Sequence, residues 1–145
     1  MEYLLTNLKI DASQYKGLFY EGSFQEDEQS LILKEGFFAT NYYDSADYNA
    51  ILEEHPAGIY NFVVYEPEKS RVTVTNDRLG KRPLFYYLDE NYFLLSNQPW
   101  KIIRNFPKQV RIDENRLRDQ LYYYTIPSES ATYIHNLKKV PAAAT

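Results

Sequence analysis

Residues 58–97 carry the densest strand signal in the chain and leave few choices for its fold. Ile59 to Tyr65 is β-branched or aromatic at every position but Asn61, which predicts a strand buried on both faces. Glu66-Pro67-Glu68-Lys69 reads as a turn, with Pro where a type I turn favours it. Val72 to Thr75 then alternates apolar and polar, as a half-buried strand does. Pro83 opens a third strand, Leu84 to Leu88, since proline is tolerated at a strand's first position. Asp89-Glu90-Asn91 turns the chain, and Tyr92 to Leu95 returns it. The stretch is therefore two β-hairpins joined by the polar linker Asn76 to Pro83.

The flanking sequence adds shorter elements. Glu2 to Ile10, Gly17 to Tyr20, Ser30 to Leu33 and Phe37 to Ala39 are strand candidates. Gln25 to Glu28 is an acidic hairpin tip, and Lys34-Glu35-Gly36 reads as a turn. Ser45 caps a helix over Ala46 to Glu54, ended by Pro56 and Gly58. Gln98 to Arg104 is a short helix with Pro99 in its first turn and the single Trp, Trp100. Asp113 caps a further helix, Glu114 to Tyr124, with Leu117 and Leu121 spaced i, i+4.

Composition bounds the class. The 145 residues make one domain, 1–145, with a sizeable core. Fifteen tyrosines suit half-buried sheet surfaces and favour a β-rich fold. No apolar run approaches the ~18 residues of a membrane span, and no signal peptide is legible. There is no cysteine, hence no disulfide and no thiolate chemistry, and a cytoplasmic location is expected. Residues 1–70 hold 13 acids and 4 bases, whereas 71–145 hold 7 acids and 12 bases. The bases form no run, so the halves are expected to neutralise each other in one fold, and no nucleic-acid or membrane partner is expected.

The linker and its following hairpin, Asp77-Arg78-Leu79-Gly80-Lys81-Arg82-Pro83-Leu84-Phe85-Tyr86, resemble a family motif. The motif is Asp-Arg-x-Gly-x-(Lys/Arg)-Pro-Leu-(Tyr/Phe)-Tyr, from the glutamine amidotransferase domain of asparagine synthetases. Gly58 to Glu66 is similar to the strand that precedes it there, and Ile126 to Pro141 resembles a segment that follows. The resemblance covers Ser45 to Pro141. It implies an α+β fold, a four-layer α-β-β-α sandwich of antiparallel sheets. It also implies that the chain is the N-terminal part of a longer synthetase, because the family continues beyond the position of Thr145.

That family is one of N-terminal-nucleophile hydrolases. A cysteine at the mature N-terminus attacks the glutamine amide, and its own α-amine serves as base. A backbone amide and an Asn side chain hold the oxyanion, an Arg binds the glutamine carboxylate, and an Asp binds its amine. Here Glu2 stands where the cysteine belongs, and the first Arg is Arg71. No Asn-Gly-Glu motif occurs, and Lys34-Glu35-Gly36 is the nearest stretch. Asp47 matches the amine-binding Asp by position; its structural reading is a helix-start residue favoured by the dipole.

Other chemistries are weakly represented. Thr6 and Ser13 are the early hydroxyls that processing would have to expose as nucleophiles. His55 and His135 lack the converging partners of a metal site or triad. Arg78, Lys81 and Arg82 surround a single glycine, a weak phosphate signal. Tyr122-Tyr123-Tyr124 reads as a helix terminus with one buried and two partly exposed rings.

The resemblance thus implies a non-catalytic glutaminase-like domain serving as scaffold and docking platform for a downstream ATP-dependent, amide-forming domain. Beta-lactam synthetases and lasso-peptide cyclases carry domains of this kind without the cysteine. The alternatives are an active amidotransferase whose N-terminal cysteine is missing from this sequence, and a stand-alone interaction module. No cofactor is expected in this domain; ATP and magnesium belong to the downstream one. Asp77, Arg78, Gly80 and Trp100 are the structural and interdomain residues that the resemblance implies, with a homodimer through the same face as a further expectation.

Overall fold

The two hairpins read from the sequence form, but they enter different sheets. The computed structural model describes residues 2–38, 57–124 and 129–144, with no side chains for 37 and 38. A four-stranded antiparallel sheet has the order β4-β5-β6-β7: Gln25–Glu26, Leu31–Phe38, Gly58–Glu66 and Arg71–Asn76. A six-stranded sheet has the order β10-β8-β9-β1-β3-β2. Its strands are Lys138–Lys139, Phe85–Leu88, Phe93–Ser96, Leu4–Thr6, Leu18–Glu21 and Ser13–Tyr15. The pairings within both sheets are antiparallel.

Period-2 alternation builds the layers. Leu31 and Leu33 of β5 and Val63 and Tyr65 of β6 share one core cluster with Leu5 of β1 and Leu95 of β9. The sheets therefore stack on each other. Leu4, Leu94 and Tyr87 point to the other face of the six-stranded sheet. There they pack against Ile102 of helix α1, Pro99–Arg104. On β6 the outward row, Tyr60, Phe62 and Val64, is buried as fully as the inward one. The expectation of a strand buried on both faces is borne out.

The linker between the hairpins is the crossing from one sheet to the other. Asp77 is fully buried and organises it. Its carboxylate accepts from Leu79 N at 3.0 Å and from Lys81 N at 3.2 Å. Its carbonyl accepts from Gly80 N at 3.0 Å and Ala143 N at 3.2 Å. Gly80 has φ +56°, and a Cβ there would lie 3.1 Å from that of Ala142. The tail is pinned alongside: Asn76 donates to Pro141 O at 2.8 Å, and Ala144 N donates to Asn76 Oδ1 at 3.1 Å.

Four expectations are corrected. Lys34-Glu35-Gly36 is no turn: β5 runs unbroken through it, paired residue by residue with β6. Gly36 makes this possible, since a Cβ there would lie 2.0 Å from Ile59 O, at φ +98°. The first strand is only Leu4–Thr6, far shorter than Glu2 to Ile10. Helix α2, Glu114–Tyr123, covers no sheet, for none of its residues is buried. Asp113 caps it as expected, accepting from Asn115 N and Arg116 N at 3.1 Å each. Tyr122, Tyr123 and Tyr124 are all exposed, in place of one buried ring and two partly exposed ones. The helix expected over Ala46 to Glu54 lies outside the described residues.

Candidate functional site

Four inward rows of the sandwich end in a polar residue at the same end of the core. On β5 the row Leu31, Leu33 is followed by Glu35; on β6 the row Tyr65, Val63 is followed by Asn61. On β9 Leu95 is followed by Asn97, just past the strand, and on β1 Leu5 is preceded by Tyr3. Alternation places the four on the inter-sheet face, so a polar cluster replaces the apolar filling there.

Glu35 is the centre of that cluster and is only 5% exposed. Asn61 Nδ2 donates to its Oε2 at 3.0 Å. Arg82 Nη1 donates to its Oε1 at 2.9 Å, and Asn97 Nδ2 donates to the same oxygen at 3.1 Å. Asn97 in turn accepts from Tyr3 N at 3.2 Å, which ties β1 to the cluster. Three donors, one of them a guanidinium, offset the cost of burying the carboxylate. Arg82 reaches it because Asp77 fixes the linker and because Gly36 has no side chain; a Cβ on Gly36 would lie 3.0 Å from Arg82 Nε.

The satisfaction is incomplete. Tyr3 Oη, Asn61 Oδ1 and Arg82 Nε are buried without a hydrogen-bond partner among the described residues. Burial pushes the pKa of Tyr3 up first, and the nearby Glu35 charge pushes it further, so the phenol stays protonated at neutral pH. Glu35 and Asn61 act on that hydroxyl electrostatically, without the geometry of a hydrogen bond. Beside the cluster opens a cavity of about 490 Å³ walled by Glu35, Ile59, Lys81, Arg82, Asn97 and Gln98. It offers cations, an acceptor and two amides to a small polar solute.

Among the described residues the cluster has no activated nucleophile. Ser96 Oγ, beside Asn97, donates to Tyr3 O. Thr6 Oγ1 donates to Phe93 O at 2.7 Å and accepts from Leu8 N at 3.0 Å, so that hydroxyl is committed to the fold. Ser13 is exposed on the edge strand β2, and Glu2 is exposed ahead of β1. Among the described residues no group of three or more His, Cys, Asp or Glu converges as a metal site. No helix among them is long and apolar enough to cross a membrane.

The residues expected from the sequence fall elsewhere. Asp47 and His55 lie outside the described residues. Asp77 and Gly80 build the linker turn, with Arg78 and Leu79 exposed at its tip. Trp100 is 44% exposed on α1, with Lys101 Nζ 5.4 Å from its ring centroid, and is not a core residue. Sequence reasoning missed Tyr3, Asn61 and Asn97, read Arg82 only as part of a weak phosphate signal, and read Glu35 only as part of a turn. The available signal was the inward period-2 row, which carries Leu31 and Leu33 straight to Glu35.

Residues 46–145 match the model of a family described as the glutamine amidotransferase domain. A protein of Methanocaldococcus jannaschii, named as a glutamine-hydrolyzing asparagine synthetase, is 31% identical over 85 residues. That alignment covers 56% of this chain and 16% of the relative, so the chain spans a minor part of the curated protein it matches. The chain belongs to the class II glutamine amidotransferase domain family, as a distant homologue of asparagine synthetase in which no cysteine is present.

Proposed function

We propose that this chain is a non-catalytic glutaminase-like domain, built on the family's four-layer α-β-β-α sandwich. It acts as scaffold and docking platform for an ATP-dependent, amide-forming synthetase domain of the same parent protein. One observation carries the reading: a sequence of this family with no cysteine has Glu35, bound by Arg82, Asn61 and Asn97, on the β5 segment nearest the family's Asn-Gly-Glu motif. A carboxylate at that position repels a developing oxyanion, where an Asn would donate to it. Two sheets and the α1 layer support the fold, and the exposed Leu79 and Trp100 support a docking face on the linker turn and α1.

The test is glutamine hydrolysis. Incubation of the purified chain with glutamine should release no glutamate above background. Turnover that is lost when Asp47 is changed to Ala would overturn the proposal and favour an active amidotransferase.

A further inference from the structure

A second cavity lies on the opposite side of the six-stranded sheet, and its chemistry is different. It has a volume of about 230 Å³ and is lined by Phe106, Lys108, Arg111 and His135 over the ring of Tyr87. Phe106 and Tyr87 form its aromatic floor, with ring centroids 4.5 Å apart. The site shares no lining residue with the Glu35 cavity.

Backbone pairing brings two of its hydrogen-bond donors, Arg111 and His135, together. Ile112 and Ile134 form an isolated antiparallel bridge, with Asp113 N donating to Tyr133 O and His135 N donating to Arg111 O. Arg111 and His135 are therefore opposite neighbours, one step from the bridge, and share a face of this short ladder. Neither side chain takes part in an ion pair among the described residues. Lys108 completes the rim and is anchored by Asp89 Oδ2 at 2.7 Å. Asp89 itself is not part of the lining and is already engaged by Lys108, Tyr87 and two backbone amides. A cavity with a guanidinium, an imidazole and an ammonium on its rim and no acid in its wall selects an anion.

We propose that this cavity binds the phosphate group of a small phosphate monoester. The Arg111 fork takes two phosphate oxygens, His135 and Lys108 take the remaining acceptor sites, and the organic substituent rests on Phe106. The volume is below that of sites that enclose drug-sized molecules, roughly 300 Å³ and upwards, so a compact ester fits and a nucleotide does not. A carboxylate, with two oxygens, leaves part of the rim unanswered. The site is separate from the glutaminase reading and does not rest on it.

The test is a titration of the intact chain followed by NMR at constant ionic strength. Inorganic phosphate, phenyl phosphate and acetate are the probes, observed at the Arg111 Hε and His135 ring signals. Saturable shifts are expected with phosphate, about threefold tighter binding with phenyl phosphate from contact with the Phe106 ring, and no saturation with acetate. Arg111→Gln should weaken phosphate binding about tenfold. His135→Gln should weaken it less. Both side chains are exposed, so neither change threatens folding, and an unchanged thermal melt verifies it. No saturation with either phosphate, equal binding of acetate, or an affinity untouched by Arg111→Gln would overturn the proposal.

Discussion

Glu35 and Asn61 stand opposite each other in the β5–β6 ladder, and the Asn61 amide donates to the Glu35 carboxylate at 3.0 Å. This cross-strand pair is where the interior of the sandwich turns from apolar to polar. Arg82 approaches from the linker and Asn97 from the end of β9, so one carboxylate joins both sheets and the crossing between them. The pair should therefore matter to stability and to chemistry in different ways.

For stability, the two ends of the Glu35–Arg82 ion pair are unequal. Glu35 is buried, whereas the Arg82 side chain is 39% exposed. Arg82→Ala strands a carboxylate away from water; Glu35→Gln leaves a guanidinium that solvent still reaches. Urea unfolding should thus show the larger loss for Arg82→Ala, about 2–3 kcal/mol after allowance for the solvated end. An equal or greater loss for Glu35→Gln would mean that the carboxylate is not the buried partner.

For chemistry, putting a thiol at the N-terminus should not create a glutaminase. Glu2→Cys, with Met1 removed, should release no glutamate from glutamine above background. The carboxylate of Glu35 would face the developing oxyanion, and Arg82 is already committed to Glu35. Measurable turnover in this variant would show that Glu35 does not sit where the oxyanion forms.

The strand β6 offers a core test. Phe62 is 4% exposed on its outward row. Phe62→Ala should cost about 3–5 kcal/mol by loss of burial and creation of a cavity. A fall of only a degree or two in Tm would place the ring at the surface.

How far the fold could be read depended on how local its causes are. The hairpins β6–β7 and β8–β9 were legible, because alternation, Pro67 and Asp89-Glu90-Asn91 lie within each hairpin. β5 was not legible beyond Leu33, because Glu and Gly are poor strand formers and Lys34-Glu35-Gly36 carries turn chemistry. What keeps the strand going is distant: Glu35 is held by residues 26, 47 and 62 positions away. The same holds for the site, whose members come from five segments. Helix α2 failed in the opposite sense. Its cap and its Leu117–Leu121 spacing are local and were correct, but spacing does not say what a face packs against, and these residues are exposed.

Acid should weaken the fold through Glu66. Hydrogen bonds from Lys69 and then Arg71 hold its carboxyl below the ordinary glutamate range. A folded-state value depressed below the unfolded one gives stability that is fully present above the ordinary range. It is lost as pH falls through the depressed value. Urea midpoints measured at stepwise lower pH should fall in wild type and fall less steeply in Glu66→Gln. Parallel curves for the two proteins would remove Glu66 from the acid response.

The proposed docking face can be tested through Trp100, the single tryptophan. It projects from α1, next to the buried Ile102 that fastens this helix to the six-stranded sheet, and its ring remains 44% exposed. An exposed Trp beside Lys101 is the kind of anchor that interfaces bury at their centre. In this chain alone, acrylamide should quench its fluorescence readily. In the proposed parent protein, with any other tryptophans replaced by Phe, docking of the proposed synthetase domain should shield the ring and cut the quenching constant severalfold. Trp100→Ala should then loosen the two domains, seen as faster proteolysis between them, while leaving the melt of this domain within about a degree because the ring supports little of its core. Unchanged quenching in the parent would move the docking surface away from α1. Quenching lost already in this chain at raised concentration, and regained on dilution, would assign the face to a second copy of the domain.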